Sequence, residues 1–227
     1  TDNLHVELQY QRGMDIFAYP GSSDPFGLDA PNVNIGNIDW WGTVVSGKVE
    51  NLGAGDLNWF VTGAISKTHP NDNGYLAPFY DVYMDTNGDG TPDMPVMTGQ
   101  TARYGLLYDD PAFGGVKKSQ NGAAIYLGAR YDIKSTGTKI GLEYNHGSKY
   151  WMAFTPESDD LWTSKLATRG DVYEAYIVQE LNKKPIAKKG KAFARLGYQY
   201  YKFKYTGSGF WLGEPKAISD LNLTNPL

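Results

Sequence analysis

Residues 123–145 read AAIYLGARYDIKSTGTKIGLEYN, two runs of alternating side chains on either side of a short turn. In the first run, apolar residues occupy the odd positions from Ala123 to Tyr131. In the second run, they occupy the even positions from Ile140 to Tyr144. A period of two is that of a β-strand with one apolar side and one polar side. The stretch therefore predicts an antiparallel hairpin.

The same period recurs along much of the chain. It predicts further strands at residues 4–11, 38–50, 57–66, 172–181 and 193–201, of which 38–50 alternates least clearly. Many of these runs approach the roughly 9–11 residues of a membrane-spanning β-strand, whereas soluble strands average about five or six. Together with the hairpin strands at 123–132 and 139–145, they predict an all-β, antiparallel up-and-down sheet.

The connections between these strands alternate in length. Long connections lie at 13–37, 67–120, 149–170 and 206–227, and short ones at 51–56, 133–138 and 182–191. Transmembrane barrels of the bacterial outer membrane have short periplasmic turns and long outer loops. The alternation therefore favours such a barrel, with the segment ARYGLLYDD (102–110) interpreted as loop structure that could fold into the lumen.

Composition agrees with this interpretation. Aromatic residues make up 14% of the chain, and many lie near the ends of the predicted strands, as in the girdles of outer-membrane barrels. No stretch is apolar enough, over about 18 residues, to predict a membrane-spanning helix. A soluble β-sandwich produces the same alternation and remains the alternative.

Two stretches carry a resemblance to a known group of proteins. Residues 123–151 (AAIYLGARYDIKSTGTKIGLEYNHGSKYW) and 194–213 (ARLGYQYYKFKYTGSGFWLG) resemble the C-terminal part of uncharacterised porin-like proteins. Those proteins come from Gram-negative sulfur- and metal-respiring bacteria. The resemblance implies a β-barrel in the bacterial outer membrane and names no solute. The odd number of predicted strands, and an ending SDLNLTNPL without a terminal aromatic residue, lead us to expect that residues 1–227 are one part of a longer barrel domain.

The sharpest local motif is DTNGDGTPD at residues 85–93, within the long connection 67–120. Hard oxygen donors at alternating positions are what Ca²⁺ selects, and Gly88 and Gly90 permit a tight turn. The motif predicts a structural Ca²⁺ site that stabilises this loop, although Val96 stands where a complete EF-hand has Glu. An ordinary solvated acidic turn is the alternative. The candidate ligands are Asp85, Asn87, Asp89, Thr91 and Asp93.

A barrel assigns the two sides of each strand to different surroundings. The polar sides would line a pore, and the apolar sides would face lipid. The predicted pore-lining residues are Glu7, Lys48, Arg130, Lys139, Glu143, Glu174 and Arg195. The predicted lipid-facing residues are Leu8, Trp59, Val61, Ile125, Leu127, Ile140, Leu142, Ile177, Leu196 and Tyr198.

These assignments predict a porin-like channel for the passive or weakly selective transport of small polar solutes. The mixed signs of the predicted lining argue against a strong ion filter, which needs a ring of one sign. Two alternatives stay open: a structural sheath for a periplasmic electron carrier, and a soluble calcium-dependent carbohydrate-binding β-sandwich. Membrane lipid and small polar solutes are the expected partners, together with a further copy of the chain or a periplasmic protein.

Enzymatic and nucleic-acid functions have little support in the sequence. There is no cysteine, and the net charge is −4, so neither thiol chemistry nor a basic nucleic-acid surface is indicated. His146 and Ser148 have the spacing of an outer-membrane phospholipase motif, but the rest of that motif is missing. A lysine-rich turn at 182–191 would suit anionic headgroups or an acidic partner, and a plain solvated turn explains it better. We therefore expect no enzymatic activity.

Overall fold

The computed structural model describes most of the chain. The described residues are 3–17, 33–84, 88, 94–154, 164–181, 190 and 192–221.

Strands account for most of the described residues. They are β1 (Leu4–Phe17), β2 (Asn34–Leu52), β3 (Gly55–Pro70), β4 (Tyr75–Met84), β5 (Met94–Tyr104), β6 (Asn121–Ile133), β7 (Thr138–Gly147), β8 (Gly170–Glu180) and β9 (Phe193–Phe203). The helical turns among the described residues are short 3₁₀ segments at Pro111–Phe113, Lys165–Ala167 and Ile218–Asp220. None of the helical segments described is long and apolar enough to cross a membrane.

The main sheet confirms the predicted all-β, antiparallel organisation. Its seven strands follow the order β1-β2-β3-β6-β7-β8-β9 in the described residues, and they correspond to the seven strands predicted from the sequence. Neighbours in the sheet are neighbours in the chain, except where β3 is followed by β6. In the described part of the chain the sheet is not closed into a barrel, because β1 and β9 remain its edges. The all-β antiparallel sheet is therefore confirmed, and the barrel itself stays a prediction from the sequence.

The region 67–120 is more structured than the sequence indicated. Residues 67–70 extend β3, and β4 pairs with β5 in a separate antiparallel two-stranded sheet. The segment 102–110, interpreted as loop, begins within β5 and continues into two isolated bridges at Gly105–Tyr108 and Leu106–Leu212. β4 contains Pro78, and its pairing register shifts between Pro78 and Tyr80. These irregularities remove the clean alternation on which strand prediction depends.

The chain divides into two compact units. One consists of Thr1–Gln11, Asp39–Ser66 and Asn121–Gly209, and it contains β6 to β9 in full. Its strands pair in continuous register, so that Tyr144, Tyr173 and Tyr200 lie side by side across β7, β8 and β9. This continuity fixes which side chains share a face.

The other unit consists of Arg12–Ile38, Lys67–Gln120 and Phe210–Leu227. Among its described residues, fully buried apolar side chains include Ile35, Ile38, Leu106 and Leu107. The backbone N–H of Leu107 donates to Trp211 O at 2.8 Å. This unit therefore has an apolar core of its own.

Close packing on the polar side of the sheet depends on Gly141. In register it lies opposite Tyr176, and a Cβ built at Gly141 would stand 2.1 Å from the Tyr176 ring. The guanidinium of Arg195 covers the same ring at 4.5 Å from its centroid. Tyr176 thus lies flat across a glycine, with a cation on its exposed side.

We expect Gly141→Ala to lower the free energy of unfolding by about 1–3 kcal/mol, because the new methyl group displaces the Tyr176 ring. Gly63→Ala is the matched control, since its nearest neighbour would be a Thr43 methyl at 3.7 Å. Urea unfolding of both variants measures the difference. Equal stabilities would show that the ring moves without cost.

Candidate functional site on the polar side of the sheet

The two sides of the main sheet differ in composition and in exposure. All the predicted lipid-facing residues lie on one side, which we call the apolar face. Leu142 is 64% exposed and Leu196 is 75% exposed there, whereas Glu174 on the opposite, polar face is only 5% exposed. Trp59 is the most covered member of the predicted set, because its ring lies against Gly47. On β6 to β8 the more exposed side of the sheet is thus its apolar side.

A row of polar contacts marks one end of the apolar face. The carboxylate of Asp171 accepts hydrogen bonds from Tyr144 Oη at 2.9 Å and Lys204 Nζ at 2.8 Å. His146 Nδ1 lies 2.7 Å from the same carboxylate. The row of tyrosines Tyr144, Tyr173 and Tyr200 is therefore followed on the same face by a row of polar groups.

The predicted pore-lining residues all lie on the polar face, and three of them meet at its centre. Glu143, Glu174 and Arg195 form this central cluster. The other four make separate contacts elsewhere: Arg130 pairs with Asp132 at 2.7 Å, Lys139 with Glu180 at 3.2 Å and Lys48 with Glu50 at 2.8 Å, and Glu7 is hydrogen-bonded to His5 at 2.6 Å.

The centre of the cluster is a pair of carboxylates. Glu143 and Glu174 lie directly opposite each other in the β7–β8 register. Like charges in that position repel, so the arrangement requires cations close by. Lys165 Nζ hydrogen-bonds Glu143 and lies 2.7 Å from Glu174, and Arg195 also donates to Glu174.

Lys165 is the residue of this site that the sequence did not indicate. It belongs to the connection between β7 and β8, outside any strand, so no periodicity marked it. Burial by itself lowers the pKa of the Lys165 ammonium, but hydrogen bonds to Glu143 and Glu174 outweigh that effect and raise the pKa above its ordinary value. The ammonium is therefore charged at neutral pH.

Residues 148–154 and 164–169, which we call the covering segment, hold Lys165 over the polar face. Trp40 Nε1 donates to Met152 O, and Trp151 Nε1 donates to Leu166 O, both at 2.7 Å. Asn145 on β7 donates to Lys165 O at 2.7 Å. The connection 149–170, predicted as an outer loop, thus contributes backbone anchored on the sheet.

A cavity of about 370 Å³ remains between the polar face and the covering segment. One wall carries the aromatic side chains of Trp40, Trp151 and Phe154, and the other carries Gln9 and Gln11 of β1. The polar face is therefore not filled by a packed apolar core.

Arg169 joins the covering segment to the connection after β9. It is 1% exposed, and its guanidinium donates to the carbonyls of Trp151 at 3.1 Å, Thr206 at 3.1 Å and Gly207 at 2.7 Å. Its backbone N–H donates to Ser208 Oγ at 2.8 Å. Burial lowers the pKa of this guanidinium to about 10.

The predicted Ca²⁺ ligands Asp85, Asn87, Asp89, Thr91 and Asp93 lie outside the described residues. Within the described part of the chain, no group of three or more His, Cys, Asp or Glu side chains is arranged to hold a metal ion. The calcium site stays a prediction from the sequence.

These features define an all-β protein whose antiparallel sheet exposes an apolar face and covers a charged one. Residues 1–226 match the family described as "Protein of unknown function (DUF3373)", and the chain belongs to that family. No curated protein and no solved structure matches the sequence.

We expect Arg169→Met to lower the free energy of unfolding by about 3 kcal/mol, because several buried carbonyls lose their donor at once. Arg103→Met is the control, since the exposed Arg103 guanidinium donates to Asp72 O at 3.2 Å. Denaturant unfolding gives the stability of each variant, and hydrogen exchange reports opening of residues 148–154 and 204–209. An effect no larger than that of the control would contradict the structural role of Arg169.

Proposed function

We propose that this chain forms part of a transmembrane β-barrel in a bacterial outer membrane. In this proposal it lines a channel through which small polar solutes pass with weak selectivity. The observation that carries the proposal is the exposure of β6 to β8, where the apolar face is open while the polar face is largely covered. A lipid-facing barrel around a wet lumen requires that arrangement.

A soluble sandwich would bury the apolar face, not the polar one. Burying a Leu or Ile side chain contributes about 1.5–3 kcal/mol, and this contribution is lost at every exposed position in water. The exposed set is large and contiguous, which in a soluble protein marks an interaction surface. It includes Leu8, Val61, Ile125, Leu127, Ile140, Leu142, Ile177, Leu196 and Tyr198.

The apolar stretch of β6 has a height that suits a bilayer, and the corresponding stretches of β7 and β8 are shorter, at residues 140–144 and 173–177. On β6, every outward side chain from Ala123 to Ile133 is apolar or aromatic. At about 3.4 Å per residue this stretch is about 34 Å long, and a strand tilt of about 40° gives a height of about 26 Å. The apolar band of outer-membrane barrels is about 25 Å tall.

The polar face supports a water-filled interior. Its charges occur in pairs, and a second cavity, of about 480 Å³, is lined by Lys48, Arg130 and Glu143, so water and small solutes have room next to hydrogen-bonding groups. Unpaired strand edges are not tolerated in hydrocarbon, where each free N–H or C=O costs several kcal/mol. We therefore include in the proposal that further strands pair with β1 and β9 and close the barrel.

The full-length protein that carries these residues is expected to produce stepwise conductance in a planar lipid bilayer. Steps of uniform size, with current proportional to salt concentration, are the expected outcome. The same preparation denatured by heat before addition is the control. Insertion into the bilayer without any conductance would contradict the proposed channel function and favour the alternative of a structural sheath.

Neighbouring residues of β3 test which face meets lipid. Val61 lies on the apolar face and is 42% exposed, whereas Thr62 lines the cavity on the polar face. Val61→Arg should impair folding into vesicles by about 2–4 kcal/mol near the bilayer midplane, and Thr62→Arg should be tolerated. The folded fraction against urea concentration measures both. Equal damage from the two substitutions would favour a sheet buried on both sides in a soluble protein.

A further inference from the structure

We infer, resting on the proposed channel, that the centre of the polar face favours small anionic solutes and that Lys165 sets this preference. The pairing of Glu143 with Glu174 would by itself produce a cation-attracting wall. The positions of Lys165 and Arg195 relative to these carboxylates make the wall attract anions instead.

The cations of the central cluster lie outside the carboxylates. The side chains of Glu174 and Glu143 are 3% and 13% exposed, whereas those of Lys165 and Arg195 are 22% and 49% exposed. A solute that moves along this face therefore meets the ammonium and the guanidinium before either carboxylate. Because exposed charges dominate the local potential, the surface is positive although the four charges sum to zero.

Lys165 is the cation that both carboxylates share. Arg195 reaches only Glu174, so Lys165 is the cation that the structure places on Glu143. The Tyr126 hydroxyl also donates to Glu143, and the Lys165 ammonium lies 5.0 Å from the Tyr126 ring centroid. Without Lys165, the cluster retains two carboxylates and one guanidinium, and its net charge becomes negative.

The backbone around Lys165 is fixed, so the charge has a defined place. Asn145 anchors the Lys165 carbonyl, and the 3₁₀ turn that carries Lys165 is capped by Ser164, whose Oγ accepts from Leu166 N at 3.4 Å. A preorganised charge acts on passing ions without the cost of ordering a flexible side chain at each passage.

The test is the reversal potential of single channels in a KCl gradient. The wild type should pass Cl⁻ in preference to K⁺. Lys165→Met keeps the length of the side chain and removes its charge, and should lower the Cl⁻/K⁺ permeability ratio by about threefold or more. Glu143→Gln should shift the ratio the opposite way. Lys202→Met, on β9 with its side chain on the apolar face, should leave the ratio unchanged.

Opposite shifts in the first two variants would not arise from a general loss of folding. Lys165→Arg keeps the positive charge that Lys165→Met removes, so this variant should keep the anion preference of the wild type. A wild-type channel that prefers K⁺, or a Cl⁻/K⁺ permeability ratio that Lys165→Met does not change, would overturn this inference. Neither result would contradict the proposed channel function. A wild type that inserts without conducting would instead overturn the proposed function.

Discussion

The alternation of side chains, kept in line by the pairing register, is the constraint on which the rest of this structure depends. Across β6 to β9 each strand pairs residue by residue without a break, so most apolar side chains lie beside apolar ones, with exceptions such as Ile125 opposite His146 and Val178 opposite Lys139. A shift of one residue in any strand would place its apolar row among the charges of the neighbouring strand. The sheet therefore has two chemically distinct faces, and everything that covers it must suit one of them.

The polar face explains the course of the connections. Two carboxylates held opposite each other repel, and in a partly buried position that repulsion is poorly screened. Lys165, which contacts Glu143, and Arg195, which contacts Glu174, neutralise the two carboxylates. Trp151 and Arg169 then fix the segment that brings Lys165 to its place, so packing and charge neutralisation stabilise the same backbone.

The sequence was sufficient for the features that follow from periodicity. It predicted the strands of the main sheet and placed Glu143, Glu174 and Arg195 on one face. It missed the β4–β5 hairpin, because an irregular register leaves no period to detect. It also missed Lys165, since the position of a loop residue depends on contacts such as that between Asn145 and the Lys165 carbonyl. Periodicity also does not say whether the sheet closes, because alternation describes each strand and not how the edge strands pair.

Lys165 lies in the connection between the two strands that carry its carboxylate partners, and this short separation in the chain helps to hold the central cluster together. The covering segment leaves β7 at Gly147 and returns at Gly170 to begin β8, the two strands that carry Glu143 and Glu174. A Cβ at Gly147 would stand 2.2 Å from Thr168 O, so glycine there lets the returning backbone pass close to the sheet. The entropy cost of holding the ends of such a connection together grows only slowly with its length. Lys165 is thus held beside its two carboxylates by the strands it connects, and Arg195 reaches the same cluster from β9.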